Sequence, residues 1–257
     1  MKVTVKELDA YLSCAAPRTL SESWDNDGIL LCRDENKAVE KVLVMLDVTD
    51  EGIEKAESGG FDVIVTHHPF IFHPLASLAG TAYGRFERLM RADVAVLSYH
   101  TRLDAAEGGV NDAGAAALRL TEVRPFGGET GCLGRMGKLS VPMAAGEFPA
   151  YLTQKLGCPG VRYEADESRM IEKVAFIGGA GKSFVAEAAA AGADAFVSSE
   201  FSHDSFYTAR SLGLAVFDCG HYYTENPVCA RLAALLRERF GEALTVGVFD
   251  TGAPYKG

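Results

Sequence analysis

The fold of this chain is decided by the stretch Ala56-Glu-Ser-Gly-Gly-Phe-Asp-Val-Ile-Val-Thr-His-His68. Its two glycines end a helical pattern, a short β-branched run then predicts a buried strand, and two histidines follow that strand. The stretch Ala189-Ala-Ala-Gly-Ala-Asp-Ala-Phe-Val-Ser-Ser-Glu200 has the same order of features, with a glutamate in place of the histidines. Helical patterns that alternate with short apolar strands predict βαβ units and mostly parallel sheets.

Both stretches are followed by a predicted helix and a strand, and the strands end at Tyr99-His100 and Gly220-His221. A carboxylate then comes four residues after each histidine, at Asp104 and Glu225. We therefore predict an α/β fold of two similar αβ lobes, residues 1–126 and 127–257, with a metal site between them at the C-terminal ends of strands. This prediction allows part of the C-terminal segment to pack on the first lobe.

The periodicity of apolar residues on either side of these stretches predicts the remaining helices and strands. Residues 127–166 are richer in glycine and proline, have weaker periodicity and hold the expected domain junction. The helix that starts at Asp50 is expected to begin with an Asp cap. Predicted strands span 42–48, 62–66, 94–98, 174–177, 195–198 and 214–217. Predicted helices span 50–58, 83–91, 112–120, 184–191, 205–212 and 227–240.

Composition excludes several classes of protein. The chain has 257 residues, 48% of them hydrophobic and 23% charged, which is an ordinary globular balance. A net charge of −10 without any basic run argues against nucleic-acid binding, because phosphate contacts need clustered lysine and arginine. We find neither a run long enough to span a membrane nor a signal peptide, so we expect a cytoplasmic protein. Six scattered cysteines without a C-x-x-C pair are then expected to be free thiols.

The adjacent histidines His67 and His68 allow two interpretations. Neighbouring residues on a strand point to opposite faces, so an isolated pair would leave one imidazole in the core and the other in solvent. Pro69 favours extended or turn geometry at His68 and ends the strand pairing. Both imidazoles could then turn outward at the C-terminal end of the strand, each towards a separate metal ion.

The wider pattern favours the metal interpretation. Imidazoles and carboxylates bind zinc, iron, manganese or nickel, and one carboxylate can bridge two ions about 3.5–4 Å apart. Asn226 and Pro227 suit the N-cap and first position of a helix, so Glu225 is expected just before a helix start. Four histidines and two carboxylates follow three predicted strand ends: His67, His68, His100, Asp104, His221 and Glu225.

Two further segments have open interpretations. Gly178-Gly-Ala-Gly-Lys-Ser183 lacks the glycine and the four-residue spacing of a phosphate-binding loop, so we reject that motif. A tight turn is the preferred alternative to an anion site at a helix N-terminus. His203 occupies the place of the histidine pair in the second lobe, either as a proton-transfer residue or as a surface residue. His73 and Trp24-Asp25-Asn26 show no spacing that points to chemistry.

These motifs resemble the Nif-three-like proteins, also known as GTP cyclohydrolase 1 type 2 homologs, over nearly the whole chain. The chain departs from the family pattern at Glu200, where Asp is expected, and at Ser199, where glycine is expected. The motifs that carry the resemblance are Trp24-Asp-Asn-Asp-Gly28, Thr66-His-His-Pro69, His100-Thr-Arg-Leu-Asp104, Gly108-Gly-Val-Asn-Asp112, Gly178-Gly-Ala-Gly-Lys-Ser183 and Gly220-His-Tyr-Tyr-Thr-Glu225.

The resemblance implies two divalent metal ions per chain on His67, His68, Asp104, His221 and Glu225. Glu225 would touch both ions, whether Asp104 does so as well is left open, and His100 would be a neighbour of the site. It also implies a homohexameric ring. The leading functional hypothesis is a metal-dependent hydrolase of a nucleotide or another small phosphate-bearing molecule, with His100 or His203 relaying protons. The alternatives are a non-catalytic metal-binding or metal-delivery protein and a regulatory interaction protein.

Overall fold

The computed structural model of the chain describes residues 2–255. Contacts between Cα atoms divide the chain into two compact units. Among the described residues, the first unit contains 2–103 and 228–252, and the second contains 104–227 and 253–255. Each unit holds one β-sheet with helices, so the expected α/β class is confirmed. The lobe boundary expected at residues 126–127 stays a prediction.

The predicted elements occur in the predicted order, and the structure adds two strands in the weakly periodic middle of the chain and three outside it. The strands are β1 Gly28–Leu31, β2 Lys41–Met45, β3 Val63–Thr66, β4 Ala95–Ser98, β5 Thr121–Phe126, β6 Gly134–Ala144, β7 Arg162–Glu164, β8 Met170–Ala180, β9 Ala195–Ser199, β10 Ala215–Asp218 and β11 Thr245–Val248. The helices are α1 Val5–Ala15, α2 Asp50–Gly59, α3 Gly80–Arg91, α4 Thr101–Ala105, α5 Val110–Ala117, α6 Phe148–Leu156, α7 Val185–Ala190, α8 His203–Leu212, α9 His221–Glu225 and α10 Pro227–Phe240. Within residues 2–255, none of these helices combines the length and apolar character needed to cross a bilayer.

The sheet of the first unit has the order β1-β4-β3-β2-β11. Strands β4, β3, β2 and β11 are parallel neighbours, while β1 pairs antiparallel with β4 at the edge. All four residues of β3 and all four of β4 are buried, as expected for parallel strands covered on both faces. Thr66 pairs with Ser98 in register, so β3 and β4 end side by side. The residues that follow these two strands are therefore brought together.

Helix α2 shows how local sequence sets the start of an element in the first unit. Its N-cap is Thr49, whose side chain accepts a hydrogen bond from the backbone N–H of Gly52 at 3.0 Å. The expected Asp cap is therefore wrong by one residue. Asp50 is the first helical residue and pairs instead with Arg85. The helix ends at Gly59 and is capped by Gly60, whose left-handed backbone suits glycine.

The sheet of the second unit has the order β5-β6-β8-β9-β10-β7. Its centre, β8-β9-β10, is parallel as expected, and antiparallel strands extend it at both sides. Two of those added strands and helix α6 lie in residues 127–166. The periodicity there is weak because exposed positions interrupt the apolar pattern of β6. Pro125 lies in β5, an edge strand, which is the position in a sheet where proline is tolerated.

Both faces of the second sheet are packed. Val174 and Phe176 belong to one apolar cluster, while Ala175 belongs to the cluster on the other side. This division follows the two-residue period of a strand. Because helices cover both faces, the strands are uninterrupted apolar runs, which is why β8, β9 and β10 were predictable from the sequence.

Candidate metal centre

His67 and His68 follow the end of β3, so the alternation of a regular strand no longer applies to them. The N–H of His68 donates to the Leu46 carbonyl at 3.0 Å, and the Thr66 hydroxyl donates to the His68 carbonyl at 2.8 Å. These bonds hold the backbone beyond the strand. The two rings lie 5.0 Å apart between centroids, tilted by 43°. The imidazoles therefore turn to the same side, as the metal interpretation requires.

His100 joins this pair from the neighbouring strand, two residues after β4 ends. Its ring centroid lies 5.3 Å from that of His67 and 5.8 Å from that of His68. One ring nitrogen from each of the three histidines lies within 4.8 Å of the others. His67 is fully buried, whereas His68 and His100 are half-buried. Three imidazoles thus converge within the first unit.

Asp25 is a part of this group that sequence reasoning missed. Its oxygens accept from His100 Nδ1 at 2.8 Å and from the backbone and hydroxyl of Thr101 at 2.9 and 2.6 Å. Burial raises the pKa of Asp25, but the hydrogen bonds from His100 and Thr101 outweigh this effect and lower the pKa to about 2. Asp25 belongs to the Trp24-to-Gly28 motif, so the resemblance marked the residue without assigning it a role.

In the second unit, Asp104, His221 and Glu225 form a second group. Helix α9 is a five-residue helix that begins at His221 and ends at Glu225, which places both side chains on one face. His221 Nε2 lies 2.8 Å from Glu225 Oε2, and a carboxylate oxygen of Asp104 lies within 4.8 Å of one from Glu225. Asp104 and Glu225 are both buried.

The local structure around Glu225 corrects one expectation. Asn226 was expected to cap the following helix, but its backbone is helical and its side chain donates to the Tyr222 hydroxyl at 2.9 Å. Glu225 is therefore the last residue of a short helix rather than a loop residue before a helix start. Pro227 does occupy the first position of α10.

The glycines at the end of β8 pack directly against Glu225. A Cβ on Gly179 would lie 2.1 Å from Glu225 Oε1 and 3.0 Å from His221 Nε2, and its φ is +69°. The N–H of Gly179 donates to the Thr224 hydroxyl at 3.0 Å, and that of Gly178 donates to the Asn111 side chain at 2.7 Å. The segment that the sequence suggested as a tight turn thus supports the helix that carries two candidate ligands.

The hydrogen bonds of the histidines fit metal ligation. A metal-binding histidine usually donates one ring N–H to a carbonyl or carboxylate oxygen, which leaves the lone pair on the other nitrogen. His67 Nδ1 meets the Tyr99 carbonyl at 2.9 Å, and His68 Nδ1 meets Asp47 Oδ1 at 2.7 Å. In the second unit, His221 Nδ1 meets Glu200 Oε1 at 2.7 Å.

These partners accept hydrogen bonds, so they favour N–H on Nδ1 and a lone pair on Nε2 in each of the three histidines. For His221, that lone pair faces the Glu225 carboxylate at 2.8 Å. Two electron-rich atoms at this distance need a proton or a cation between them. The donor set and the tautomers it favours therefore suit divalent metal ions.

Glu200 acquires a contact that the sequence left open. Its backbone has a φ of +56°, an uncommon value for a residue with a side chain, and its carboxylate reaches His221. This is the segment that departs from the family pattern. Although Glu200 departs from the family pattern, it still provides an oxygen acceptor for Nδ1 of His221.

The two remaining histidines lie on the surface. His203 is the first residue of α8, is exposed and packs edge-on against Tyr207 with 5.1 Å between ring centroids. Its proposed part in proton transfer stays a prediction. His73 is exposed beside Phe72. Among residues 2–255, neither belongs to a group of side chains close enough to share a metal ion.

Comparison with known proteins agrees with the motifs. The profile of the Duf34/NIF3 (NGG1p interacting factor 3) family matches residues 3–253. The chain belongs to this family. A Streptomyces coelicolor relative named GTP cyclohydrolase 1 type 2 homolog is 34% identical over 262 residues, covering 96% of this chain and 91% of that protein. A Clostridium perfringens relative of the same name is 31% identical over 231 residues, 87% of either chain.

A solved crystal structure has the same fold. The crystal structure of Staphylococcus aureus protein SA1388 matches with a TM-score of 0.89 and 26% identity, and the match covers 99% of both chains. The resemblance stated from the motifs is therefore confirmed, as is the α/β architecture.

Proposed function

We propose that this Duf34/NIF3 protein binds two divalent metal ions per chain through His67, His68, Asp104, His221 and Glu225. The observation that carries the proposal is the Nδ1 pattern. The histidines among these five residues each meet an oxygen acceptor at Nδ1, which is how proteins orient metal-binding imidazoles. The ions are zinc, iron, manganese or nickel, because imidazole and carboxylate ligands without thiolate suit these metals.

We further propose that the protein is a metal-dependent hydrolase. Bound divalent ions lower the pKa of coordinated water and so supply hydroxide at neutral pH. Glu225 would contact both ions through its two oxygens. His100 and His203 are the proposed proton-transfer residues. The substrate class, a nucleotide or another small phosphate-bearing molecule, follows the name that the relatives bear.

A cleft in the second unit supports a small-molecule substrate. It encloses about 400 Å³, within the range of ligand pockets, and Gly220, the residue before His221, lies in its wall. Arg162 also lines the cleft, and its side chain is two-thirds exposed although its guanidinium contacts Asp218 at 2.5 Å. An exposed guanidinium suits a phosphate group.

Metal analysis of the native protein, followed by hydrolysis assays with each candidate metal, tests both parts of the proposal. Turnover of GTP or another phosphate ester that requires the bound metal would support the enzyme. Two tightly bound ions without turnover of any such compound would favour the alternative, a metal-binding, metal-delivery or regulatory protein. Wild-type protein that takes up no divalent metal would contradict both.

The family resemblance also supports a homohexamer as the native assembly. Light scattering in dilute neutral buffer should give a mass near six chains. A monomer at every concentration tested would remove the hexamer from the proposal.

We place the protein in the cytoplasm, because its six cysteines are free thiols in the structure and have no paired spacing in the sequence. Thiol titration of denatured, unreduced protein should find six reactive groups. Four groups would mean one disulfide and would contradict the assignment.

A further inference from the structure

We propose that Asp25 is a positioning residue that holds His100 as the Nδ1–H tautomer, so that the Nε2 lone pair accepts hydrogen bonds from a water bound beside His67 and His68. This inference rests on the proposed function, since it assigns a partner to the metal-bound water. It concerns a residue whose motif the sequence identified without explaining.

The geometry fixes the direction of the bond between Asp25 and His100. The Asp25 side chain is fully buried, and its two oxygens accept four hydrogen bonds. Oδ1 accepts from the Asn26 N–H and from His100 Nδ1, both at 2.8 Å. Oδ2 accepts from the N–H and hydroxyl of Thr101. With backbone donors at both oxygens, the carboxylate acts as acceptor, and the proton in the bond to His100 lies on Nδ1.

The Thr101 hydroxyl is itself committed to this arrangement. It accepts from the Glu22 N–H at 3.0 Å, so its own hydrogen points to Asp25. Asp25 is therefore held by Asn26, the next residue of its loop, and by Thr101 at the start of α4, which in turn is bonded to Glu22. His100 cannot change its tautomer without breaking hydrogen bonds in this network.

The remaining nitrogen of His100, Nε2, is then an acceptor, and we take it as the one that faces the candidate ligands because Nδ1 is bonded to Asp25. One ring nitrogen of His100 lies within 4.8 Å of the ligand nitrogens of His67 and His68. An N–H at this position would point a partial positive charge at a metal ion, whereas a lone pair attracts the hydrogens of its bound water. The tautomer therefore decides whether His100 supports or opposes metal-bound water.

Asp25→Asn reverses the tautomer with almost no change in shape. The buried Thr101 donors need an oxygen, whereas Asn26 is only half-buried, so we expect the new amide oxygen to face Thr101. The amide NH₂ then faces His100 Nδ1, which must accept and carry its hydrogen on Nε2 instead. We expect zinc affinity to fall by about 10–100-fold, the usual effect of losing a residue that orients a metal site.

The experiment uses the full chain loaded with zinc and labelled with ¹⁵N at histidine. Long-range ¹H–¹⁵N NMR should show the hydrogen of His100 on Nδ1 in the wild type and on Nε2 in Asp25→Asn. Competition with a chelator gives the zinc affinity. Asp34→Asn is the matched control, because it removes the same charge from an exposed side chain that accepts a local bond from the Asn36 N–H.

A double-mutant cycle separates positioning from a merely structural effect. In a His100→Gln background, adding Asp25→Asn should change zinc affinity less than about twofold, because Asp25 acts through His100. An undiminished effect in that background would overturn the proposal, as would a wild-type His100 with its hydrogen on Nε2. If the wild type binds no zinc, the proposed function fails, while the NMR spectrum of the same protein still decides the tautomer.

Discussion

The histidines His100 and His221 have the same sequence context, two or three residues after a strand and four residues before a carboxylate, but different surroundings. His100 bonds to Asp25, a buried carboxylate that lies 75 residues away and is held by three other donors. His221 bonds to Glu200, which is exposed, and contacts Glu225 of its own helix. The same motif thus gives two different environments. The His100 ring is oriented by a carboxylate from a distant segment, whereas His221 contacts a carboxylate on its own helix.

The spacing of residues in the sequence identifies candidate ligands, but it does not tell how rigidly the ring of each histidine is oriented. A carboxylate with four hydrogen bonds cannot rotate without breaking them, so it fixes the ring it contacts. An exposed carboxylate can move with solvent around it, and an ion pair at the surface contributes little free energy. The surroundings of His100 and those of His221 should therefore respond differently to matched substitutions.

The largest expected effect comes from Glu225→Ala. If Glu225 touches both ions, its loss removes a ligand from each, so bound metal should fall by much more than one equivalent. Melting temperature should fall as well, because ions that bind only the folded state stabilise it. His67→Ala and His68→Ala should each weaken chiefly one ion. Plasma mass spectrometry and thermal denaturation measure these effects.

His73→Ala is the control for that series, because His73 lies on the surface beside Phe72. Its metal content should equal that of the wild type. Two tightly bound ions per chain in Glu225→Ala would show that the bridging role is assigned to the wrong residue.

A stability effect of intermediate size is expected from Gly179→Ala. The added Cβ would collide with Glu225 Oε1, and the alanine would have to keep the glycine's φ of +69°. Left-handed backbone and overpacking together should lower the free energy of unfolding by about 2–5 kcal/mol. Urea denaturation, with metal content measured alongside, gives both consequences.

Gly192→Ala separates the two causes. Gly192 also has a positive φ, of +84°, but its Cβ would meet no atom within 4 Å. We expect a loss of about 1–2 kcal/mol from backbone strain alone. Equal losses in the two variants would mean that the approach of Gly179 to Glu225 is unimportant.

The sequence predicted the parallel strands except β11, and it missed the antiparallel strands. Strands such as β3 and β9 are buried on both faces, so their apolar runs stand out from their neighbours. Much of β6 is partly exposed, and its pattern is too irregular to identify. Antiparallel extension of the second sheet is therefore known only from the structure.

The candidate ligands were predictable for a similar reason. Histidines that follow strand ends are visible in a linear pattern, and parallel strands bring those ends together. Asp25 was not predictable, since its contact with His100 spans 75 positions and depends on how a loop without regular structure folds back. Gly179 was likewise mistaken for a turn residue, because close approach to Glu225 is a tertiary property.

The smallest expected effect belongs to Glu200→Gln. The exposed amide can turn its oxygen to His221 Nδ1, so the tautomer is kept. We expect less than about a threefold change in zinc affinity, against about 10–100-fold for Asp25→Asn. Chelator competition under one set of conditions compares the two variants directly. A larger loss in Glu200→Gln than in Asp25→Asn would reverse the comparison between the two histidines.

The most direct test of the account is the metal content of wild-type protein, purified without chelator, supplied with divalent metals and freed of excess by gel filtration. Mass spectrometry for zinc, iron, manganese and nickel should find two tightly bound ions per chain. No bound metal under any of these conditions would contradict the assignment of His67, His68, Asp104, His221 and Glu225 as a metal centre.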